Sequence, residues 1–214
     1  MEDNVKNLSI RFLDFCLAIC GLIFSIIPIL IIAMLIKIDD GGPVFFKQKR
    51  VGLNGTIFLM YKIRSMVIEA EELRSELLVK SDVEGMFKMK NDPRVTNIGV
   101  FIRKHSLDEL PQFWNVLKGD MSLVGPRPAL IEEVETYSEE AKERLRVKPG
   151  ITGLWQVSGR SDLSFNDMIE LDLLYINNRS VLNNIIILFK TIMLIMPSKN
   201  KKNGIFVEKF KHKK

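Results

Sequence analysis

Residues 15–36 read FCLAICGLIFSIIPILIIAMLI, a run of 22 residues without a charge. At about 1.5 Å of helical rise per residue the run reaches roughly 33 Å, enough to cross the hydrocarbon core of a bilayer. It is too long for the apolar region of a signal peptide, and no small-residue cleavage site follows it. An anchor retained in the mature protein is therefore expected. Pro28 removes one backbone hydrogen bond from the run, and Ser25, one turn earlier, offers a hydroxyl to the freed backbone groups. Both flanks are basic: Lys6 and Arg11 precede the run, and Lys37, Lys47, Lys49 and Arg50 follow it. The positive-inside rule is best met when both ends lie on the cytoplasmic side. A re-entrant helical hairpin bent near Ser25 and Pro28 is the favoured reading, and a spanning helix kinked at the proline is the alternative.

The whole chain, 214 residues, suffices for one domain with a real core plus this membrane element. A net charge of +5 calls for an anionic partner, and composition alone does not choose among nucleic acid, a phospholipid surface and a phosphorylated substrate. Cys16 and Cys20 stand four apart inside the apolar run, which suits one helix face rather than a disulfide. His105 and His212 are far from both, so no zinc-ligand spacing exists. The expected division is a membrane element over 1–38, a domain over 39–198 and a basic tail over 199–214.

Within the domain, 44–46 and 57–61 read as a hairpin around a Gly52 to Gly55 turn, and 67–80 as an acidic amphipathic helix. A loop is expected over 91–99. Helices are expected over 108–117, over 132–145, and from a Ser164/Asp167 capping box through Asn177. The apolar segment 185–196 suits either the core or the membrane interface, and the lysine-rich tail suits anionic headgroups or plain solvent. These elements make an α/β class, mostly helical with a small hairpin sheet and interfacial amphipathic helices.

Chemistry concentrates first in residues 104–111, KHSLDELP, where Asp108 and Glu109 are adjacent carboxylates flanked by basic residues. A helix starting here would place them at the positive end of its dipole, where an ionised carboxylate is favoured and a metal or phosphate can approach. A plain capping box between Ser106 and Glu109 reads the same residues without chemistry. Pro111 favours Asp108 as the cap, because the proline then falls in the first turn. Residues Pro126, Arg127 and Pro128 hold an arginine between two prolines, a rigid presentation suited to phosphate, although a solvated surface turn fits as well. Residues 148–160, KPGITGLWQVSGR, form a glycine-rich loop ending in Arg160. Asp172 shares an apolar helix face with Met168 and Ile176, so it needs a partner such as an arginine or a metal.

Taken in order, FKQKRVG, YKIRSM, DPRVTNIGVFIRKHSLDELPQFWNVLKGDMSLVGPRPAL, KPGITGLWQVSGR and LDLLY closely resemble the bacterial sugar transferase family, the monotopic phosphoglycosyl transferases. The resemblance runs from Arg11 to about Met196. It implies a small catalytic domain on the cytoplasmic face of the bacterial inner membrane, held by a re-entrant helix. It also implies transfer of a sugar 1-phosphate from a UDP-sugar to polyprenyl (undecaprenyl) phosphate, with release of UMP and a need for Mg2+. The family's Asp-Glu dyad falls on Asp108 and Glu109, as catalytic and metal-holding residues. Its Pro-Arg-Pro falls on Pro126, Arg127 and Pro128, and further substrate-binding positions fall on Lys62, Arg160 and Asp172. One departure is visible: the family often has adjacent Ser and Pro at the helix break, whereas Ile26 and Ile27 separate Ser25 from Pro28 here.

On this reading Asp108 attacks the β-phosphorus as a nucleophile and Glu109 holds magnesium. The partners are then a UDP-sugar, polyprenyl phosphate and inner-membrane phospholipids, not nucleic acid, with a homodimer left open. Two other classes share parts of the pattern: a membrane-bound aspartyl-phosphate phosphatase, and a non-catalytic membrane-surface scaffold. The scaffold leaves the carboxylate pair and the Pro-Arg-Pro segment unexplained. Neither the sugar nor the glycan pathway is legible, and the stretches 81–90 and 161–166 are the loop-like candidates for choosing the sugar.

Overall fold

The computed structural model of the chain describes residues 2–73, 92–159 and 163–195. Helix α1, Glu2–Asp39, continues through Pro28. The proline withdraws the amide that the Phe24 carbonyl would otherwise accept. Ser25 Oγ donates to the Gly21 carbonyl at 2.6 Å, so the serine does not serve the carbonyl that the proline frees. The backbone of α1 does not by itself trace a re-entrant path. One face of the helix is buried at Ile10, Asp14, Ala18, Ser25, Ile32 and Ile36, while Phe12, Phe24, Ile27 and Leu30 stand exposed on the other, Phe24 to 80%. Cys16 and Cys20 are free thiols on the exposed side.

Strands β1 (Phe45–Val51) and β2 (Ile57–Ile63) pair antiparallel, in register from Phe45 opposite Ile63 to Val51 opposite Ile57. The hairpin is the expected one, with longer arms. A 3-10 turn at Ile68–Ala70 opens the segment where a helix over 67–80 was expected, and residues 74–80 lie outside the described ones. Helix α2, Asn97–Lys104, replaces part of the expected loop, because Thr96 caps it by accepting from the Gly99 amide at 2.9 Å.

Helix α3 is Gln112–Lys118, not 108–117. Pro111 has no amide to join the helical ladder, so the ladder starts after it, with the Trp114 amide reaching the Pro111 carbonyl at 3.1 Å. Strand β3 (Ser122–Val124) pairs in parallel with β4 (Gly150–Thr152). Between them the single helix expected over 132–145 is two, α4 (Ile131–Glu135) and α5 (Glu139–Lys142), followed by a 3-10 turn at Glu143–Arg146. The break arises because Ser138 begins a fresh cap, accepting from Ala141.

Helices α6 (Leu154–Ser158), α7 (Phe165–Asn177) and α8 (Val181–Ile195) complete the described chain. The Ser164/Asp167 box forms as expected: Asp167 Oδ2 accepts from the Ser164 amide at 3.0 Å, and Ser164 Oγ accepts from the Asp167 amide at 3.2 Å.

The main core gathers Met60, Val116, Met121, Leu123, Val124, Leu154, Trp155, Met168, Leu171, Tyr175 and Ile187 around Ala18 of α1. Tyr175 is fully buried and its hydroxyl lies 2.9 Å from the Val124 carbonyl and 3.0 Å from Asn184 Oδ1, which ties α7 to β3 and α8. Helix α8 serves both the core and the outside, since Ile187 is buried while Leu182, Ile185, Phe189 and Ile192 are exposed.

Asn115 joins α3 to the hairpin. Its Oδ1 accepts from the Tyr61 amide at 3.0 Å and its Nδ2 donates to the Leu59 carbonyl at 2.7 Å, so the side chain acts as one residue of a third strand along β2. Truncating it strands two backbone groups at a fully buried position. Asn115→Ala is expected to cost about 2 kcal/mol or more, read as a lower melting temperature of the detergent-solubilised protein.

Candidate active site

The end of α2 and the start of α3 are joined by a tight corner. Ser106 takes a left-handed conformation, φ 55°, unusual for a residue with a side chain, and a 3-10 turn over Leu107–Glu109 follows. Ser106 makes no side-chain cap, so the alternative capping box with Glu109 is not formed, and the residue before α3 is Pro111 rather than Asp108. Asp108 and Glu109 project from this turn ahead of α3 rather than from its first turn. Fixed positive charge reaches them instead from cationic side chains.

Those cations come from three parts of the chain, Arg103 close before the pair and Lys62 and Arg127 from farther off. A cavity of about 480 Å3 is lined by Asp108, Glu109, Lys62, Arg103 and Arg127, with Phe45, Phe46, Gln48 and Arg50 of β1 on its wall. A smaller recess of about 190 Å3 continues from Lys62, Glu109 and Arg127 past Pro128 and Trp155. Lys62 on β2 places Nζ 3.7 Å from Glu109 Oε1. Desolvation in the cavity raises the Glu109 carboxyl above its ordinary value, Lys62 opposes the rise and Asp108 reinforces it. Arg103 on α2 donates through Nε to Ser65 Oγ at 2.9 Å, and Asp108 is the foremost charge acting on its guanidinium. Arg64 and Arg94 also line the cavity but are committed to structure. Arg64 clasps Asp40, and Arg94 clasps Asp92 at 2.7 Å while donating to the Ala70 carbonyl.

The Pro-Arg-Pro segment is fixed on three sides. The Pro126 carbonyl accepts from the Gly150 amide at 2.9 Å, the Pro128 carbonyl from Arg50 Nη1 at 2.9 Å, and the Ala129 carbonyl from the Val51 amide at 3.0 Å. The backbones approach so closely that a Cβ on Gly150 would lie 2.1 Å from the Gly125 amide nitrogen. This glycine of the 148–160 stretch thus serves backbone packing, not approach to a ligand. Arg127 Nη1 lies 3.6 Å from Glu133 Oε1, and Glu133 in turn accepts from the Leu130 amide at 2.8 Å.

Four of the residues singled out in the sequence, Lys62, Asp108, Glu109 and Arg127, therefore face one cavity, while Pro128 lines the adjoining recess and Pro126 a small space on the other side of the loop. Asp172 does not line it. That residue is fully buried on α7 and pairs with Arg144 at 2.7 Å, the arginine partner its apolar face demanded, and Arg144 also donates to Tyr137 Oη at 2.9 Å. Arg144 borders a small space shared with Pro126 and Arg127, so Asp172 stands in the wall behind the loop. Arg160 lies outside the described residues. The reading of single motifs missed Arg50, Arg103, Gln48 and Glu133. The signal for the two arginines was their recurrence in the blocks FKQKRVG and FIRKHS.

The donor set for a cation is two adjacent carboxylates; among the described residues no group of three or more His, Cys, Asp or Glu is gathered to hold a metal. This fits Mg2+, which takes one or two protein carboxylates and completes its shell with water and substrate phosphate, and does not fit zinc. Asp108 and Glu109 are the residues that would hold it.

A long apolar helix laid along a compact domain, beside a cleft whose carboxylate pair is ringed by cations, defines a membrane-associated protein equipped to bind an anionic ligand. The model of the bacterial sugar transferase family matches residues 5–198, and the chain belongs to that family. It is 51% identical over 189 residues to the galactosyl transferase CpsE of Streptococcus agalactiae, covering 87% of this chain and 42% of that protein. It is 45% identical over 204 residues to the undecaprenyl-phosphate galactose phosphotransferase of Salmonella typhimurium, covering 92% and 43%. With the exopolysaccharide production protein ExoY of Sinorhizobium fredii it shares 39% identity over 201 residues, covering 91% and 88%. The chain thus spans less than half the length of the first two relatives and most of the third.

Protons compete with any cation that Glu109 holds. Because its carboxyl is raised, it protonates as pH falls at a pH where an ordinary glutamate is still ionised. Mg2+ affinity measured by calorimetry is expected to weaken on acidification from above the ordinary glutamate range, and Glu109→Gln is expected to remove that dependence along with most of the affinity.

Proposed function

We propose that this chain transfers a sugar 1-phosphate from a UDP-sugar to undecaprenyl phosphate at the cytoplasmic face of the bacterial inner membrane. The observation that carries the reading is the convergence of Asp108 and Glu109 with Lys62, Arg103 and Arg127 on one cavity. The family match supports it, as do the undecaprenyl-phosphate substrate in the Salmonella relative's name and the exopolysaccharide role in the name of ExoY.

In the first step an Asp108 carboxylate oxygen bonds to the β-phosphorus of the UDP-sugar. The bond from that phosphorus to the bridging oxygen breaks, and UMP leaves with the oxygen. In the second step an oxygen of undecaprenyl phosphate attacks the phosphorus of the resulting acyl phosphate. Asp108 is released and the sugar is left on undecaprenyl diphosphate. Two displacements through one aspartate spare the site from holding both anionic substrates at once. Arg127, pinned through both neighbouring carbonyls, and Arg103, pinned through Ser65, are the cations that orient phosphate oxygens with least loss of side-chain freedom. Lys62, 3.7 Å from Glu109, opposes the rise that desolvation imposes on its carboxyl. Magnesium, when bound, supplies neutralisation of the charge that develops on the diphosphate oxygens.

The anchor is read as monotopic. Near one end of the apolar run Arg11 donates to the Val116 and Leu117 carbonyls, and Asp14 accepts from the Leu123 amide at 2.9 Å. Beyond the other end Asp40 is clasped by Arg64, and Ile32 and Ile36 pack with Ile63 and Ile102. A span would put those two ends on opposite faces of the membrane, about 30 Å apart across hydrocarbon, whereas both are bonded to one polar domain. This favours a helix that enters and leaves on the same side.

Two measurements test these readings. UMP release from a panel of UDP-sugars is expected to depend on undecaprenyl phosphate, and Asp108→Asn to lower it by roughly a thousandfold or more and to abolish covalent labelling by the sugar phosphate. Near-normal turnover of that variant would remove Asp108 as nucleophile, and release of free phosphate without the lipid acceptor would indicate a phosphatase. For topology, single cysteines at Ser9 and Gly41, with Cys16 and Cys20 replaced by serine, are expected to be labelled from the cytoplasmic side only. Labelling of the two from opposite sides would establish a span.

A further inference from the structure

A second cavity, about 390 Å3, shares no lining residue with the one that holds the carboxylates. Its wall carries Arg11 of α1, Arg146 and Lys148 from the segment before β4, and Arg179 from the turn between α7 and α8. Arg146 is balanced by Glu143 at 2.7 Å. The other three form no ion pair within 4 Å, and the carboxylates that act on them at longer range are Asp14 and, on Lys148, Asp120. Arg11 spends two guanidinium nitrogens on the neutral carbonyls of Val116 and Leu117, and Arg179 donates to the neutral amide oxygen of Asn7 at 2.6 Å. Lys148 is half-buried and has no hydrogen bond or ion pair among the described residues. Arg11 and Lys148 flank Gly119 together, since a Cβ built there would lie 3.4 Å from both Arg11 Nη2 and Lys148 Nζ, so the two cations are neighbours. The acid on this wall, Asp14, is turned toward the Leu123 amide. Burial lowers the Lys148 ammonium from its ordinary value, Arg11 and Arg179 add to the shift, and Asp14 and Asp120 oppose it.

The surroundings identify the missing anion. Arg11 is followed by Phe12, 70% exposed, and Arg179 stands three residues before Leu182, 64% exposed. These begin the two apolar outer faces, of α1 and of α8, that the chain offers to hydrocarbon. An anion seated between them lies at headgroup depth. We propose that Arg11, Lys148 and Arg179 form a binding site for the phosphate of an acidic membrane phospholipid, separate from the cavity of Asp108 and Glu109. A phosphodiester bound there would join α1, the segment before β4 and the α7–α8 turn, locking the anchor to the domain.

The test uses the full chain in non-ionic detergent and follows its melting temperature against short-chain phosphatidylglycerol, short-chain phosphatidylcholine and inorganic phosphate. Phosphatidylglycerol is expected to stabilise the protein and phosphatidylcholine not to. Lys148→Gln removes a side chain without a bonded partner, so folding is preserved. It should raise the phosphatidylglycerol concentration for half-maximal stabilisation roughly five-fold. Lys148→Gln with Arg179→Gln should raise it further, while Lys47→Gln with Lys49→Gln, an equal loss of charge on exposed β1 positions, should leave it unchanged. The proposal is overturned if Lys148→Gln responds like the unaltered chain or if the β1 pair shifts the response as much. It is also overturned, as to the lipid source, if inorganic phosphate stabilises as strongly as phosphatidylglycerol.

Discussion

Two neighbouring carboxylates cannot both stay ionised in a desolvated cleft, and least of all beside an anionic substrate, unless fixed positive charge surrounds them. Most of the architecture around Asp108 and Glu109 answers that requirement. The hairpin exists in part to carry Lys62 to within 3.7 Å of Glu109, α2 carries Arg103, and the crossover after β3 carries Arg127. Lys62 and Arg127 lie well away from the pair in sequence, whereas Arg103 precedes it by five residues. Each is held by a different element, so the electrostatic balance of the site depends on the relative placement of those elements.

Placement is secured chiefly by backbone hydrogen bonds and neutral side chains. Asn115 completes the edge of β2, Gly150 allows β4 to press against Gly125, and Arg50 is spent on the Pro128 carbonyl rather than on a ligand. Arginine thus plays two parts here. Arg50, Arg64, Arg94 and Arg144 are structural, closing loops onto carbonyls and carboxylates, whereas Arg103 and Arg127 are anchored at one edge and face the cavity. A planar guanidinium can do both because its fork offers five donors.

The same economy shapes the membrane element. Helix α1 buries one stripe against the domain and leaves the other, with Phe24, Ile27 and Leu30, for lipid. Polar groups at both ends of the apolar run, Arg11 with Asp14 and Asp40 with Arg64, fasten it to a body that itself stays in water. The exposed apolar residues of α8, Leu182, Ile185, Phe189 and Ile192, extend the apolar surface that α1 begins.

Several features were fixed locally and could be read from the chain alone. An uncharged run of 22 residues must leave water. The turn between β1 and β2, the Ser164 cap of α7 and the need of Asp172 for an arginine likewise follow from short-range chemistry. So does the special character of the DE and PRP segments, whose residue types are hard to explain as packing.

Two element boundaries turned on local competition between caps: Pro111 delayed α3, so the acids sit in a 3-10 turn reached through a left-handed Ser106, and Ser138 split a helix whose charge pattern looked continuous. Other features depended on partners far away in sequence. Which arginines are structural and which face the cavity, and that Asp172 stands behind the loop instead of in the site, are matters of three-dimensional proximity. Electrostatic and hydrogen-bond energies fall off within a few ångströms. A sequence therefore shows which charges exist, and only the folded chain decides which of them meet.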